Sequence, residues 1–188
     1  MRVKAGFAIC GSFCTFARIP AILEALSETY EITPILSEAA ANTDTRFAKA
    51  AAFMAQVEQI CQRPVIRSIA EAEPIGPQKL FDVLIVAPCT GNTLSKLATG
   101  MTDTSVTMAC KAHLRNQRPL VIGVSTNDGL SGGAANLGTL LARKHVYFVP
   151  FRQDDPTGKP ASLVADFDRI GETTEQALLG KQLQPLLL

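Results

Sequence analysis

Short apolar runs recur along this chain, and most lack the alternation of a half-exposed strand. Runs of this kind are typical of parallel strands that are covered on both faces. The predicted strands are Val3 to Ile9, Glu31 to Leu36, Val65 to Ile69, Val83 to Ala87, Leu120 to Val124 and Val146 to Pro150. We expect Pro88 to end the strand that begins at Val83, and the run from Val146 to Pro150 to close the sheet.

Amphipathic segments separate these runs and predict helices. In the first, Thr15 to Thr29, Pro20 indicates either a late start or a kink. The second is capped by Asn42, Thr43 or Asp44, and its apolar positions have helical spacing: Phe47, Ala50, Ala51, Met54, Val57 and Cys61. Ser105 to Leu114 and Ala134 to Lys144 are also predicted helices, whereas the prolines and glycine between Ala70 and Leu80 predict a loop.

Strands that alternate with helices favour right-handed crossovers and a doubly wound sheet. The predicted fold is therefore α/β, with a Rossmann-like (flavodoxin-like) doubly wound parallel sheet in three α/β/α layers. We expect a single domain over residues 1–188. Ligands of such folds bind at the carboxyl ends of the strands.

Composition and charge narrow the possible functions. The chain has 188 residues, of which 47% are hydrophobic and 19% charged, which indicates a well-buried globular protein. Its net charge of +1 provides no broad basic field, so we expect binding neither to nucleic acid nor to a membrane surface. The N-terminal sequence enters a strand without a long apolar segment, which predicts a cytoplasmic protein. The five cysteines are odd in number and lack Cys-x-x-Cys spacing, so reduced core thiols are expected and no metal site is suggested.

The most informative loop follows the strand at Val83. Thr90, Gly91, Asn92 and Thr93 lie where a helix would start, so free backbone N–H groups there can point at an anion. The same residues also suit an ordinary capped helix. Gly11 and Ser12 follow the first strand, with Thr15 one turn further on, and should lie on the same edge of the sheet.

The usual dinucleotide fingerprint does not follow the first strand. Gly-x-Gly-x-x-Gly is absent there, and Glu38, just past the second strand, is the nearest acidic candidate for a ribose ligand. The sequence therefore argues against NAD or NADP bound to this chain in the usual Rossmann manner.

The stretch Pro88-Cys89-Thr90-Gly91-Asn92-Thr93 resembles the Pro-Ala-Ser-Ala-Asn-Thr motif of the FMN-binding flavoproteins, a family that includes cysteine decarboxylases and flavin prenyltransferases. Leu97 to Gly100 and Asp103 look like the family's next conserved positions. The resemblance implies that Thr90, Asn92 and Thr93 contact the phosphate and ribityl chain of FMN. It also implies that Gly11 and Ser12 hold the phosphate, in a pocket that Thr15 and Pro88 help to form.

Further loops resemble those of a narrower family, the B subunits of bacterial dipicolinate synthase. The matching segments are Thr45 to Phe47, Glu71 to Pro77, Ala87 to Thr93, Ser125 to Leu130, Phe148 to Pro156, Lys159 to Ala165 and Gly180 to Pro185. The resemblance implies a sporulation protein of the mother cell that works with a separate A subunit carrying NADP. Together they would oxidise dihydrodipicolinate to pyridine-2,6-dicarboxylate. The resemblance to the wider FMN-binding flavoproteins, which commonly assemble as trimers or larger rings, implies a homo-oligomer.

A small dicarboxylate substrate requires fixed cations, preferably arginine. Arg46 and Arg115 are the candidates for this role, and Asn127 could bind a flavin edge or the substrate, or simply start the turn into Gly129. Asp128 and Asp103 are the candidate general bases. His113 and His145 end predicted helices, where a solvent-facing position or a contact with the helix dipole explains them.

Two other functions remain open. The chain could be an independent FMN-dependent decarboxylase or a flavin prenyltransferase-like enzyme, although Ser125 to Leu130 lacks the Pro-x-Met-Asn motif of the decarboxylases. It could also be a noncatalytic scaffold that docks to the A subunit. Cys89 has no basic neighbour in the motif, so packing is the expected role of its thiol.

Overall fold

The computed structural model describes residues 2–188. Its strands are β1 (Val3–Ile9), β2 (Tyr30–Leu36), β3 (Val83–Cys89), β4 (Leu120–Thr126), β5 (Val146–Phe148), β6 (Phe151–Asp155) and β7 (Lys159–Ala165). Its α-helices are α1 (Ile19–Thr29), α2 (Glu38–Asn42), α3 (Ala50–Cys61), α4 (Ile69–Ala72), α5 (Gly91–Thr99), α6 (Ser105–Leu114), α7 (Ala134–Leu141) and α8 (Ile170–Leu178). Short 3-10 turns cover Phe13–Arg18, Glu73–Ile75 and Phe167–Arg169.

These strands form one sheet in the order β2-β1-β3-β4-β7-β6, with β5 also paired to β4. Strands β1 to β5 pair in parallel, whereas β7 pairs antiparallel with both β4 and β6. One helical layer contains α4, α5, α6 and α7, and the other contains α1, α3 and α8. The predicted flavodoxin-like, three-layer α/β fold is confirmed.

Strand β3 lies at the centre of the sheet, and all of its residues are buried. Because helices cover both faces, every position is apolar or small, which is why the run shows no alternation. The prediction that Pro88 ends this strand is wrong. The strand continues to Cys89 through a local shift in its pairing with β4, and the carbonyl of Pro88 accepts a hydrogen bond from Cys10 N at 3.2 Å.

The first helix starts late, which was one of the two alternatives for Pro20. A 3-10 turn occupies Phe13–Arg18, and α1 begins at Ile19 with Pro20 in its first turn. Proline is tolerated there because the first N–H groups of a helix have no intrahelical partner. The 3-10 turn keeps the segment after β1 close to the sheet edge.

The segment after β2 differs from its prediction. A short helix, α2, follows β2 directly, and α3 begins only at Ala50. None of the three proposed caps is the N-cap of α3, which is Lys49. Asp44 still bonds to the helix start from the loop, since its carboxylate accepts a hydrogen bond from Ala50 N at 3.0 Å. Phe47 therefore lies in the loop between the helices, where its side chain is 51% exposed, and not on a helix face.

The connection between α3 and β3 is also more ordered than predicted. Val65 to Ile69 is not a strand, because it makes only one bridge, between Ile66 and Ile35. Ser68 and Glu71 then form a capping box that starts α4 at Ile69. The predicted loop from Ala70 to Leu80 is therefore partly helical, and it packs against α6.

The sheet does not close at Val146 to Pro150 as predicted. The hairpin formed by β6 and β7 extends it, and residues 152–160 are exposed. Phe151 N donates to the carbonyl of Leu186 at 3.0 Å, and Leu188 N donates to the carbonyl of Phe151 at 3.1 Å. The C-terminal leucines are thus docked beside β6. One hydrophobic cluster runs through the molecule from Ala5 to Ala177.

Candidate functional site

The carboxyl ends of β1, β3 and β4 meet at one edge of the sheet, as expected for neighbouring parallel strands. The hydroxyl oxygens of Ser12 and Ser125 lie 2.8 Å apart and join the loop after β1 to the end of β4. Thr90 caps α5 between them. This edge therefore concentrates hydroxyl groups and the N-terminus of one helix.

The larger of two cavities at this edge has a volume of about 740 Å³. Several predicted cofactor or substrate residues line it: Gly11, Ser12, Thr15, Thr90, Asn127 and Arg46. The hairpin β6–β7 supplies a further wall through Asp154, Lys159 and Ser162. Three cations, Arg18, Arg46 and Lys159, line this cavity against the one carboxylate of Asp154.

The smaller cavity, of about 360 Å³, contains the rest of the predicted loop. Asn92 and Thr93 line it together with Glu38 and Lys96. Gly11 and Thr90 line both cavities. The structure therefore distributes the predicted cofactor residues over two adjoining spaces with a shared wall.

Three of these residues hold the backbone in place. Thr15 Oγ1 donates to the carbonyl of Ser12 at 2.7 Å, and Thr93 Oγ1 donates to Cys10 Sγ at 3.3 Å. Pro88 is buried within β3. Their hydrogen bonds and packing fix the loop after β1 against the start of α5, so Ser12, Thr90 and Asn92 are better placed to touch a ligand.

The start of α5 is an anion-binding arrangement. Thr90 Oγ1 accepts the N–H of Thr93 at 3.3 Å, while the preceding N–H groups in the first turn have no intrahelical partner. The carboxylate of Asp128 lies against this turn, since a Cβ on Gly91 would be 2.7 Å from Asp128 Oδ1. A negative charge at that position is favoured by the helix dipole.

Asp128 and Asn127 form side-chain hydrogen bonds to different parts of the site. Asp128 accepts a hydrogen bond from the hydroxyl of Thr126, which lines the larger cavity. The Oδ1 of Asn127 accepts from the hydroxyl of Ser162 at 3.0 Å, which links β4 to the hairpin. Asp128 therefore approaches the cavity through Thr126.

Asp103 lines neither cavity, but its neighbour Thr104 and its ion-pair partner Lys96 line the smaller one. The exposed carboxylate of Asp103 lies 2.9 Å from Lys96 Nζ, and the hydrogen bond from that lysine holds the pKa of Asp103 below its ordinary value. Asp103 is therefore held in a surface ion pair beside the smaller cavity.

The two substrate candidates are far apart in the fold. Arg46 lies in the loop between α2 and α3 and reaches the larger cavity; it does not open a helix. Helix α6 starts at the carboxyl end of β2, where Ser105 Oγ donates to the carbonyl of Leu36 at 2.6 Å. Arg115 follows its other end, before the amino end of β4, and packs near Gly76. The structure thus puts Arg115 at the opposite edge of the sheet.

His113 is buried, so the predicted solvent-facing position is wrong for it, although it does lie in the last turn of α6. Its Nε2 lies 3.0 Å from the carbonyl oxygen of Pro119, to which the Nε2–H form donates. Burial lowers the pKa of His113 to about 4. His145 follows α7 and is partly exposed. Neither histidine lines a cavity at the carboxyl edge.

Four of the five cysteines are buried free thiols, as expected, whereas Cys14 is exposed. Burial raises the pKa of Cys89 well above its ordinary value. The thiol of Cys89 is therefore protonated and packs in the core.

Sequence reasoning missed three side chains that line the larger cavity as possible ligand contacts: Arg18, Phe47 and Lys159. Arg18 and Phe47 were assigned to helices by their periodicity. Lys159 was noted only within a family segment, because an exposed lysine in a polar hairpin carries no local signal of binding.

Fold and site together define a flavodoxin-like α/β protein with hydroxyl groups and a helix N-terminus at the carboxyl edge of its sheet. A family model described as Flavoprotein matches residues 2–130. This span holds β1 to β4 and the loops that follow them, and it ends before the β6–β7 hairpin.

Two relatives match nearly the whole chain. The B subunit of dipicolinate synthase from Bacillus subtilis (strain 168) is 44% identical over 186 residues, which are 98% of this chain and 93% of that protein. The crystal structure of the dipicolinate synthase B subunit from Bacillus halodurans C superposes with a TM-score of 0.91 at 41% identity, over 100% of this chain and 98% of that one. The chain therefore belongs to the flavoprotein family, and within it to the dipicolinate synthase B subunits.

A more distant structure shares the fold. The dodecameric FMN-dependent UbiX-like decarboxylase of Escherichia coli O157:H7 superposes with a TM-score of 0.64 at 24% identity, over 78% of this chain and 79% of that one. Among residues 2–188, the structure contains no helix that is both long enough and apolar enough to cross a bilayer.

Proposed function

We propose that this chain is the B subunit of a dipicolinate synthase that oxidises dihydrodipicolinate to pyridine-2,6-dicarboxylate during sporulation. The observation that carries the proposal is its similarity, along nearly its full length, to two dipicolinate synthase B subunits. An A subunit that carries NADP is the proposed partner, and the mother-cell cytoplasm is the proposed location. The chain itself lacks the glycine fingerprint for a dinucleotide after β1.

The residues at the carboxyl edge fit FMN. The first turn of α5 and the hydroxyls of Ser12 and Thr90 suit a phosphate. The two cavities adjoin at Gly11 and Thr90, so together they suit an elongated ligand. Asn92 and Asn127 are proposed contacts for the ribityl chain or ring edge. Bound FMN would supply a two-electron acceptor at this edge.

Forming the aromatic diacid removes a hydride and a proton from the ring of dihydrodipicolinate. The cavity contains cations for the carboxylates and neutral hydroxyls that can orient the ring. Asp128 is the proposed proton acceptor, because its carboxylate is hydrogen-bonded to Thr126 on the cavity wall. The proposal does not use Asp103, whose carboxylate is paired with Lys96 beside the smaller cavity, or Arg115, which lines neither cavity.

The first test is a titration of the purified chain with FMN, followed by flavin fluorescence. Asn92→Asp adds a negative charge beside the proposed phosphate site, and aspartate is well tolerated in the first turn of a helix. We expect saturable binding by the wild type and binding at least about tenfold weaker in the variant. Asn136→Asp on α7 lies outside both cavities and should bind FMN like the wild type.

Reconstitution with an A subunit and NADP tests the reaction itself. Dipicolinate formation that requires both chains supports the proposal. Decarboxylation or prenyl transfer by the present chain alone would instead favour an independent FMN-dependent decarboxylase or a flavin prenyltransferase-like enzyme. Full synthase activity in Ser12→Asp and Asn92→Asp, with stable binding to the A subunit, would make this chain a scaffold.

A further inference from the structure

Two separate segments line the 740 Å³ cavity. The loop between α2 and α3 contributes Arg46 and Phe47. The hairpin β6–β7 contributes Asp154 and Lys159. Neither segment belongs to the hydroxyl-rich edge that ends β1, β3 and β4.

Phe47 is an aromatic side chain in an unusual place. Its side chain is 51% exposed although it lines a cavity, and the guanidinium of Arg46 lies 4.8 Å from its ring centroid. An exposed aromatic ring gains free energy when a planar apolar surface covers it. Phe47 is thus a suitable platform for a flat heterocycle.

The three cations that line the cavity with Phe47 differ in the ion pairs that they form. Arg18 forms an ion pair with Asp168 at 2.9 Å. No ion pair among residues 2–188 includes Arg46. Lys159 pairs with Asp154 at 3.1 Å, and both side chains are exposed. Exposed pairs of this kind are weak, so an incoming carboxylate can compete for Lys159.

The hairpin lies beyond the residues that the family model matches. That model covers residues 2–130, whereas Lys159 and Ser162 belong to β7. The wall that the hairpin adds is therefore separate from the part of the fold that the Flavoprotein model describes. A wall of this kind is a suitable place for selecting the substrate of one branch of a family.

We propose that Arg46, Phe47 and Lys159 form the binding site for a planar heterocyclic dicarboxylate. Arg46 binds one carboxylate and Lys159 binds the other, and Phe47 covers a face of the ring. The choice of a pyridine dicarboxylate as the ligand rests on the proposed function. The assignment of the β6–β7 hairpin, through Lys159, to substrate binding is an addition to that function.

The test measures binding of pyridine-2,6-dicarboxylate and of pyridine-2-carboxylate to the purified chain by isothermal titration calorimetry. The wild type should bind the diacid more tightly than the monoacid. Lys159→Gln and Arg46→Gln should each weaken diacid binding about tenfold and reduce the preference for it, because each removes a charge-assisted hydrogen bond. Phe47→Leu should weaken both ligands roughly threefold through lost ring contact.

Two control variants test whether any loss of binding is specific to the proposed site. Arg152→Gln removes a cation from the same hairpin outside the cavity, and Met101→Ala removes another half-exposed apolar side chain. Both should bind the diacid like the wild type. Equal affinity of the wild type for the two acids, or unchanged diacid binding by Lys159→Gln, would overturn the proposed site.

The complex with the A subunit distinguishes failure of the site from failure of the proposed function. If the complex makes dipicolinate and Lys159→Gln has an unchanged KM, the site is wrong and the function stands. If the wild-type complex makes none while the isolated chain still prefers the diacid through Lys159, the function is wrong and the site stands. A raised KM in Lys159→Gln, with FMN binding retained, supports both.

Discussion

Arg46 and Arg115 show how little a side chain alone says about its role. Both are predicted to bind a carboxylate of the substrate, yet Arg46 lines the larger cavity and Arg115 lies at the opposite edge of the sheet. The difference comes from where α6 and the loop before α3 lie in the tertiary structure. At the scale of the residue, the sequence gives the chemical type of a side chain but not which groups surround it in the fold.

His113 gives a prediction about pH. Burial lowers the pKa of His113 to about 4 in the folded chain, from an ordinary value of 6.5. Between these values the unfolded chain binds more protons than the folded one, so the free energy of unfolding falls as the pH is lowered through this window. We expect His113 to contribute a loss of roughly 2 kcal/mol between pH 7 and pH 5.

Urea unfolding of the wild type, His113→Gln and His145→Gln at both pH values measures this contribution. His113→Gln should lose less stability on acidification than the wild type, and His145→Gln should lose as much. An equal loss in all three proteins would show that carboxylates, and not His113, dominate the acid response.

At the scale of elements, the approach of the β4 loop to α5 shapes the site. A Cβ on Gly91 would lie 2.5 Å from Thr126 Oγ1 and 2.7 Å from Asp128 Oδ1. These contacts are too short for a Cβ, so an alanine at the first position of α5 would displace the side chains of Thr126 and Asp128. The same approach brings Asp128 to the end of the helix.

Gly91→Ala should therefore displace the side chains of Thr126 and Asp128 and break the hydrogen bond between them. We expect it to lower the free energy of unfolding by about 1 to 3 kcal/mol, as overpacking does, and to weaken FMN binding. Gly138→Ala on α7 is the control, because no atom lies within 4 Å of its added Cβ. That variant should be neutral or more stable by up to about 1 kcal/mol. Thermal and urea unfolding of both variants check the difference, and equal stabilities would refute the steric account.

At the scale of the whole molecule, the proposed assembly is the least direct consequence of the fold. The distant decarboxylase with the same fold is dodecameric, and the homo-oligomer proposed for this chain follows from family resemblance. Half-exposed or more exposed leucines, including Leu179 and Leu187, remain on the surface of the single chain. Such side chains are compatible with interfaces but do not identify one.

We expect sedimentation velocity on the purified chain to show three or more protomers per particle. The A subunit should co-migrate with it when the two are mixed. Arg152→Gln lies outside the proposed site and should leave both results unchanged. A stable monomer that still forms active synthase with the A subunit would rule out a need for self-assembly.

The chain's own pattern determined the fold class and the edge of the sheet at which the candidate residues lie. Five of the six predicted strands were confirmed in type, because buried parallel strands are apolar throughout and their signal is local. The position of Thr90, Asn92 and Ser12 just past such strands followed directly, since all parallel strands end at the same edge.

Tertiary structure decided what periodicity cannot show. The β6–β7 hairpin is exposed over residues 152–160 and so has no apolar pattern, and Val65 to Ile69 is apolar but has only one bridging partner. The position of Phe47 fits a helical period, yet α3 begins only at Ala50, so Phe47 lies in the preceding loop and lines the cavity. Burial of His113 and the presence of Arg46 and Lys159 in one cavity depend on how distant segments pack, because packing and charge act through space and not along the chain.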